Sequence, residues 1–113
     1  MYKIYHNPRC KKSRAGLQYL QEKGIEPEII EYLKDPITEE EMRGLLVRLH
    51  KKPDEIIRTQ EAIYRSNFKG KNFSEDEWIK VLLEYPKLIQ RPIVVKGPKA
   101  VLGDPASEID VLL

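Results

Sequence analysis

An α/β fold, with one sheet whose two halves are separated by a helical block, is predicted by three features of these 113 residues. Short β-branched or aromatic runs, Tyr2-Lys3-Ile4-Tyr5 and Glu28-Ile29-Ile30-Glu31-Tyr32-Leu33, flank a helical stretch and make a β-α-β unit. Such a unit implies a parallel strand pair joined by a right-handed crossover. The interval 36–86 then carries helical signals only, and a pair of strands returns after it.

The elements can be justified in order. The first helix spans Lys11 to Lys23, with Gly24 placed as a C-cap. Asp35-Pro36 breaks the second strand. Thr38 and Glu41 form a capping box, followed by Met42, Leu45, Leu46 and Leu49 at helical spacing. Lys52-Pro53-Asp54 opens a short helical turn toward Ile56-Ile57-Arg58, and Thr59 is placed to cap a further one. Ser74 and Glu77 repeat the capping box, with Trp78, Val81, Leu82 and Tyr85 as the apolar face until Pro86 stops the helix. The segment Asn67 to Asn72, with glycine and lysines and little to bury, is expected to be a mobile loop. Pro92-Ile93-Val94-Val95-Lys96 is a strand, and Gly97-Pro98 turns the chain so that Ala100-Val101-Leu102 pairs back as a hairpin. Asp104 is expected to N-cap a terminal helix with Pro105 at its first position. Residues 1–113 thus read as one domain, with 1–35 and 87–113 as the sheet core and 36–86 as a helical insertion.

Composition narrows the function. Hydrophobic residues make up 41% and charged residues 34% of the chain, which suits a packed, water-soluble domain. A net charge of +2 gives no argument for nucleic acid. No segment reads as a membrane span or a secretory signal, so the expected setting is the cytoplasm, with no membrane partner. One cysteine and two histidines offer no metal-ligand spacing, so no metal and no bound cofactor are expected. Trp78 and Tyr85 read as core, and Glu39-Glu40-Glu41 as a solvated helix start that suits the dipole.

The chemistry concentrates in His6-Asn7-Pro8-Arg9-Cys10-Lys11-Lys12-Ser13-Arg14. Cys10 is the only cysteine and falls between the first strand and the first helix. A thiol at a helix start meets unpaired backbone N–H groups and the positive end of the dipole, both of which favour the thiolate. Arg9, Lys11, Lys12 and Arg14 add positive charge, and His6 can donate to the sulfur if the loop folds back. A single cysteine forms no internal disulfide. Ser13 stands where a Cys-x-x-Cys motif would carry its resolving thiol, so an outside thiol must regenerate Cys10. Pro92, opening a strand, is expected to follow a cis bond.

This arrangement, with a reactive cysteine after the first strand and a proline opening the third, resembles a thioredoxin-like (glutaredoxin-like) fold. The string from Ile4 to Arg14 is similar to the catalytic loop of glutaredoxin-coupled arsenate reductases of the ArsC/Spx-like family. Leu88-Ile89-Gln90-Arg91-Pro92-Ile93-Val94-Val95 is similar to that family's second signature. The resemblance implies arsenate reduction, with arsenate or a similar oxyanion as substrate, glutathione as co-substrate, glutaredoxin as partner, and a monomeric enzyme. It implies Cys10 as nucleophile, His6 as the residue keeping that thiol ionised, Ser13 as a hydroxyl in the same loop that can hold the substrate's oxygens, and Arg58 and Arg91 as anion-binding arginines. Arg14 joins the substrate-binding set. Where the family has a third arginine, this chain has Asp104. The wider family also contains glutathione-dependent thiol reductases, an alternative that Asp104 favours. It contains Spx-type regulators that bind RNA polymerase as well, whose usual Cys-x-x-Cys pair Ser13 breaks.

Overall fold

Four strands form one mixed sheet in the computed structural model, which describes residues 1–113. The strands are β1 (Tyr2–Tyr5), β2 (Glu28–Ile30), β3 (Ile93–Lys96) and β4 (Lys99–Leu102), in the spatial order β2-β1-β3-β4. β1 pairs parallel with β2, and antiparallel with β3 in a register that sets Ile4 opposite Val94. β3 and β4 form the expected hairpin around Gly97, whose φ of 57° lies in the region open to glycine. β2 is shorter than its β-branched run suggests. The Glu31 carbonyl accepts turn hydrogen bonds from the Lys34 and Asp35 N–H groups, so Tyr32 and Leu33 leave the ladder, although Tyr32 stays buried.

The chain divides into two units, Met1–Asp35 with Arg91–Leu113, and Pro36–Gln90. In the first, α1 (Lys11–Glu22) ends at Lys23, and Gly24 follows at φ 78°. Ser13, Gly16 and Leu20 are the buried residues of α1. Leu20 joins Ile4, Val94, Ile109 and Leu112 in one core cluster, with Leu17, Ile25 and Val101 against it. Burying such side chains stabilises the fold by about 1.5–3 kcal/mol each.

The terminal segment corrects the expected cap. It is a 3-10 helix, Ala106–Leu112, whose N-cap is Pro105, with no side-chain cap bond. The helix starts one residue later than the sequence signal placed it, so Asp104 lies outside it. The Asp104-Pro105 bond is cis, as is Arg91-Pro92, the latter as expected.

In the Pro36–Gln90 unit, α2 (Glu39–Leu49) and α3 (Glu75–Glu84) both carry complete capping boxes, from Thr38 and Glu41 and from Ser74 and Glu77. Met42, Leu45, Leu46 and Leu49 of α2 are buried, as are Trp78, Ile79 and Leu82 of α3. Arg43 ties the two helices together by ion pairs to Glu39 and Asp76, each at 3.0 Å. The 3-10 turn Pro53–Ile56 leads into a bridge between Ile57 and Ile89. Two expectations fail here. Thr59 sits in a turn and caps nothing; the next helical stretch ends in a π-helical turn, Tyr64–Phe68, N-capped by Ile63. That turn covers part of the expected loop, and the Phe68 ring packs edge-on against Phe73, Trp78 and Tyr85. An aromatic anchor outweighs the polar composition around it.

Two glycines allow a close approach in the sheet unit. A Cβ on Gly16 would lie 2.6 Å from Pro92 Cγ, and a Cβ on Gly103 would lie 3.0 Å from the same atom. Gly103 N–H also donates to the Pro92 carbonyl at 2.8 Å. α1, the start of β3 and the loop after β4 therefore meet at bare backbone. Alanine for glycine in an open helix gains about 1 kcal/mol, whereas overpacking costs about 1–3 kcal/mol. Gly16→Ala is expected to melt below wild type, because the proline ring has no rotamer to escape into. Gly44→Ala in α2, where a Cβ would meet only the far end of the Arg48 side chain, Nη1 at 2.8 Å, is expected to melt at or above wild type. Equal melting shifts for the two would contradict the close approach.

Candidate active site

The loop from β1 to α1 is shaped by Asn7. Its carbonyl accepts the Cys10 N–H and its Oδ1 accepts the Arg9 N–H, each at 3.0 Å. Its own N–H donates to Ser13 Oγ at 3.0 Å. The Asn-Pro pair signals a turn in the sequence, but nothing in the sequence assigns Asn7 this threefold role. The outcome is that Cys10 becomes the N-cap residue of α1, in extended conformation (φ −92°, ψ 122°) and partly exposed.

The environment of the sulfur has opposing effects on its pKa. Burial pushes the Cys10 thiol up, and this is the largest single influence. The Ser13 backbone N–H, the Arg91 side chain, the Lys12 backbone N–H and the Arg91 charge together outweigh it, so the thiol lies below its ordinary value. The N–H groups act on the sulfur electrostatically rather than as a regular cap, since Cys10 makes no standard side-chain cap bond. Arg91, immediately before the strand-opening Pro92, is the side chain among those influences.

His6 is buried at the end of β1, its N–H donating to the Ile30 carbonyl at 2.9 Å. Its Nδ1 lies 2.7 Å from Ser13 Oγ, within the fully buried part of the loop. Burial lowers the His6 pKa; nearby Glu31 raises it and Arg14 lowers it, with a net downward shift. The imidazole is therefore neutral at neutral pH. Through Nδ1, His6 joins a His6–Ser13–Asn7 linkage in the loop that carries the nucleophile.

The other expected residues are placed as follows. Arg14 is exposed and donates from Nη1 to the Pro8 carbonyl at 3.0 Å. Arg58 belongs to the Pro36–Gln90 unit, where its Nε donates to Glu61 at 3.1 Å. Asp104 pairs with Lys12 at 3.1 Å. The two residues of that pair are far apart in sequence, and no local signal announces it.

Comparison with known proteins agrees with this geometry. The ArsC family model matches residues 5–112. The chain belongs to the ArsC family. Among similar proteins, the uncharacterized protein YfgD of Escherichia coli K12 is 41% identical over 109 residues, 95% of this chain and 92% of that protein. An arsenate reductase of Neisseria meningitidis serogroup A is 34% identical over 113 residues, 98% of this chain and 97% of that protein. The solved structure of the arsenate reductase from Vibrio cholerae superposes with a TM-score of 0.93 at 36% identity, covering 99% of this chain and 97% of that one. The α/β sheet with its helical block is thus the thioredoxin-like fold of ArsC proteins. No helix in this ArsC chain is long and apolar enough to cross a membrane.

Proposed function

We propose that this chain is an arsenate reductase that works through the Cys10 thiolate, with glutathione and glutaredoxin as electron source. The observation that carries the reading is the joint action of the α1 N–H groups and Arg91 on one accessible sulfur. An arsenate oxyanion needs a nucleophile beside fixed cationic and N–H donors, and a guanidinium offers its oxygens a planar fork. Relatives named arsenate reductase at 34% and 37% identity support the choice of substrate.

The steps balance as a two-electron reduction. The Cys10 thiolate attacks As(V) and forms an S–As bond, while an arsenate hydroxyl leaves with a proton as water. Arg91 and the helix-start N–H groups offset the charge on the remaining oxygens. A glutathione thiolate then attacks the Cys10 sulfur and forms a mixed disulfide. The S–As electron pair passes to arsenic, which leaves as arsenite, As(III). Thiol–disulfide exchange with glutaredoxin and a second glutathione restores Cys10. The two thiols oxidised to a disulfide supply the two electrons. A monomer in a reducing cytoplasm suits this chemistry.

The test is a coupled assay with arsenate, glutathione, glutaredoxin, glutathione reductase and NADPH. Arsenate-dependent NADPH oxidation matched one-to-one by arsenite is the expected result. No arsenate-dependent turnover, alongside rapid reduction of glutathione mixed disulfides, would replace this reading with that of a thiol–disulfide reductase.

A further inference from the structure

Lys12 contributes to the site twice. Its backbone N–H is one of the groups that lower the Cys10 pKa, and its ammonium holds the Asp104 carboxylate at 3.1 Å. Both side chains are about half exposed, at 55% and 44%, so the pair adds little to folding stability. Asp104 is nonetheless held where it is by backbone. Gly103 before it donates to the Pro92 carbonyl, and a Cβ on Gly103 would lie only 3.0 Å from Pro92 Cγ. The same ring lies against Gly16 of α1. The loop carrying Asp104 is thereby locked between the start of β3, where Arg91 sits, and the first turns of α1, where Cys10 sits.

We propose that Asp104 is a specificity-determining residue of the Cys10 site. It neutralises Lys12 and lowers the positive potential at the sulfur, so that the site discriminates against anionic reactants relative to neutral ones of similar shape. Arsenate is then accepted less readily than it would be without the pair, and neutral electrophiles such as disulfides gain relative to it. The inference deepens the proposed function and rests on its Cys10 thiolate, not on arsenate as the substrate, since it concerns what that thiolate accepts. Without the pair, Arg9, Lys11, Lys12 and Arg14 would all present uncompensated charge on the exposed rim. With it, one of the four is cancelled, and that one is the residue whose backbone N–H also acts on the sulfur.

Alkylation of Cys10 by iodoacetate, an anion, and iodoacetamide, its neutral counterpart, reads this potential without any turnover. Asp104→Asn is expected to raise the iodoacetate-to-iodoacetamide rate ratio about two- to fivefold at low ionic strength, and the gain should fade in roughly 1 M salt. Lys12→Met should lower the ratio, and the double variant should return close to wild type. The melting temperature should barely move in Asp104→Asn. In the coupled assay, Asp104→Asn should lower the KM for arsenate by a similar factor with kcat little changed. An unchanged alkylation ratio in Asp104→Asn at low salt would overturn the proposal, even if wild type reduces arsenate well. A wild type inert to arsenate whose ratio still responds to Asp104→Asn would leave the proposal standing and remove the arsenate reading.

Discussion

Cys10→Ser is expected to abolish arsenate-dependent turnover while leaving the protein folded and at least as resistant to heat. The two halves of that result have separate causes. Serine is nearly isosteric, but its hydroxyl stays protonated at neutral pH where the Cys10 thiol is displaced toward thiolate, so the attack on arsenic loses its nucleophile. The fold has no reason to suffer. Cys10 is the N-cap of α1 in extended conformation and makes no regular cap bond. Serine is among the preferred residues at that position and can accept the Ser13 N–H, which stabilises a helix by about 0.5–2 kcal/mol relative to a residue that cannot cap. Activity and thermal melting on the same preparation check both halves. Residual turnover near wild type would place the chemistry elsewhere, and a large fall in melting temperature would mean that the sulfur is a packing residue.

Arg91→Lys is the second large effect. Arg91 stands just ahead of β3, and its guanidinium reaches the Cys10 sulfur. Lysine keeps the charge and loses the planar fork. A hydrogen bond to a charged group contributes about 1.5–3 kcal/mol, so kcat/KM for arsenate should fall roughly ten- to a hundred-and-fiftyfold. The Cys10 pKa should rise as well, because the side-chain hydrogen bond from Arg91 is one of the influences that lower it. An Arg91→Lys enzyme that matches wild type in kcat/KM would mean that Arg91 neither binds the oxyanion nor serves the thiolate.

What was legible in the sequence was local. Thr38 with Glu41, and Ser74 with Glu77, mark two helix starts because a capping box is made by residues three apart. Cys10 announced itself for the same reason: its N–H donors are the next few residues of its own helix. Pro92 opening a β-branched strand placed Arg91 before β3. What was not legible needed contacts between distant positions. Asp104 read as a cap because Asp-Pro is a strong local signal, yet its carboxylate goes to Lys12. The contact of His6 Nδ1 with Ser13 Oγ, seven residues on, was not readable either, because it depends on how the loop folds back. The π-helical turn at Tyr64–Phe68 depends on the packing of Phe68 with three other rings, which no short pattern encodes. The error in β2 is of the same kind, since a β-branched run shows where a strand can form but not where its partner stops.

Chemistry at this site requires Cys10 to be a thiolate at the pH where the protein works. The most direct measurement is the rate of Cys10 alkylation by iodoacetamide against pH, with Cys10→Ser as the blank. The thiolate alone reacts, so the midpoint of the profile is the pKa of the sulfur. The helix-start N–H groups and Arg91 predict a midpoint below the free-cysteine value of about 8.5. A midpoint at or above that value would mean that burial wins over those donors, and it would contradict the central claim.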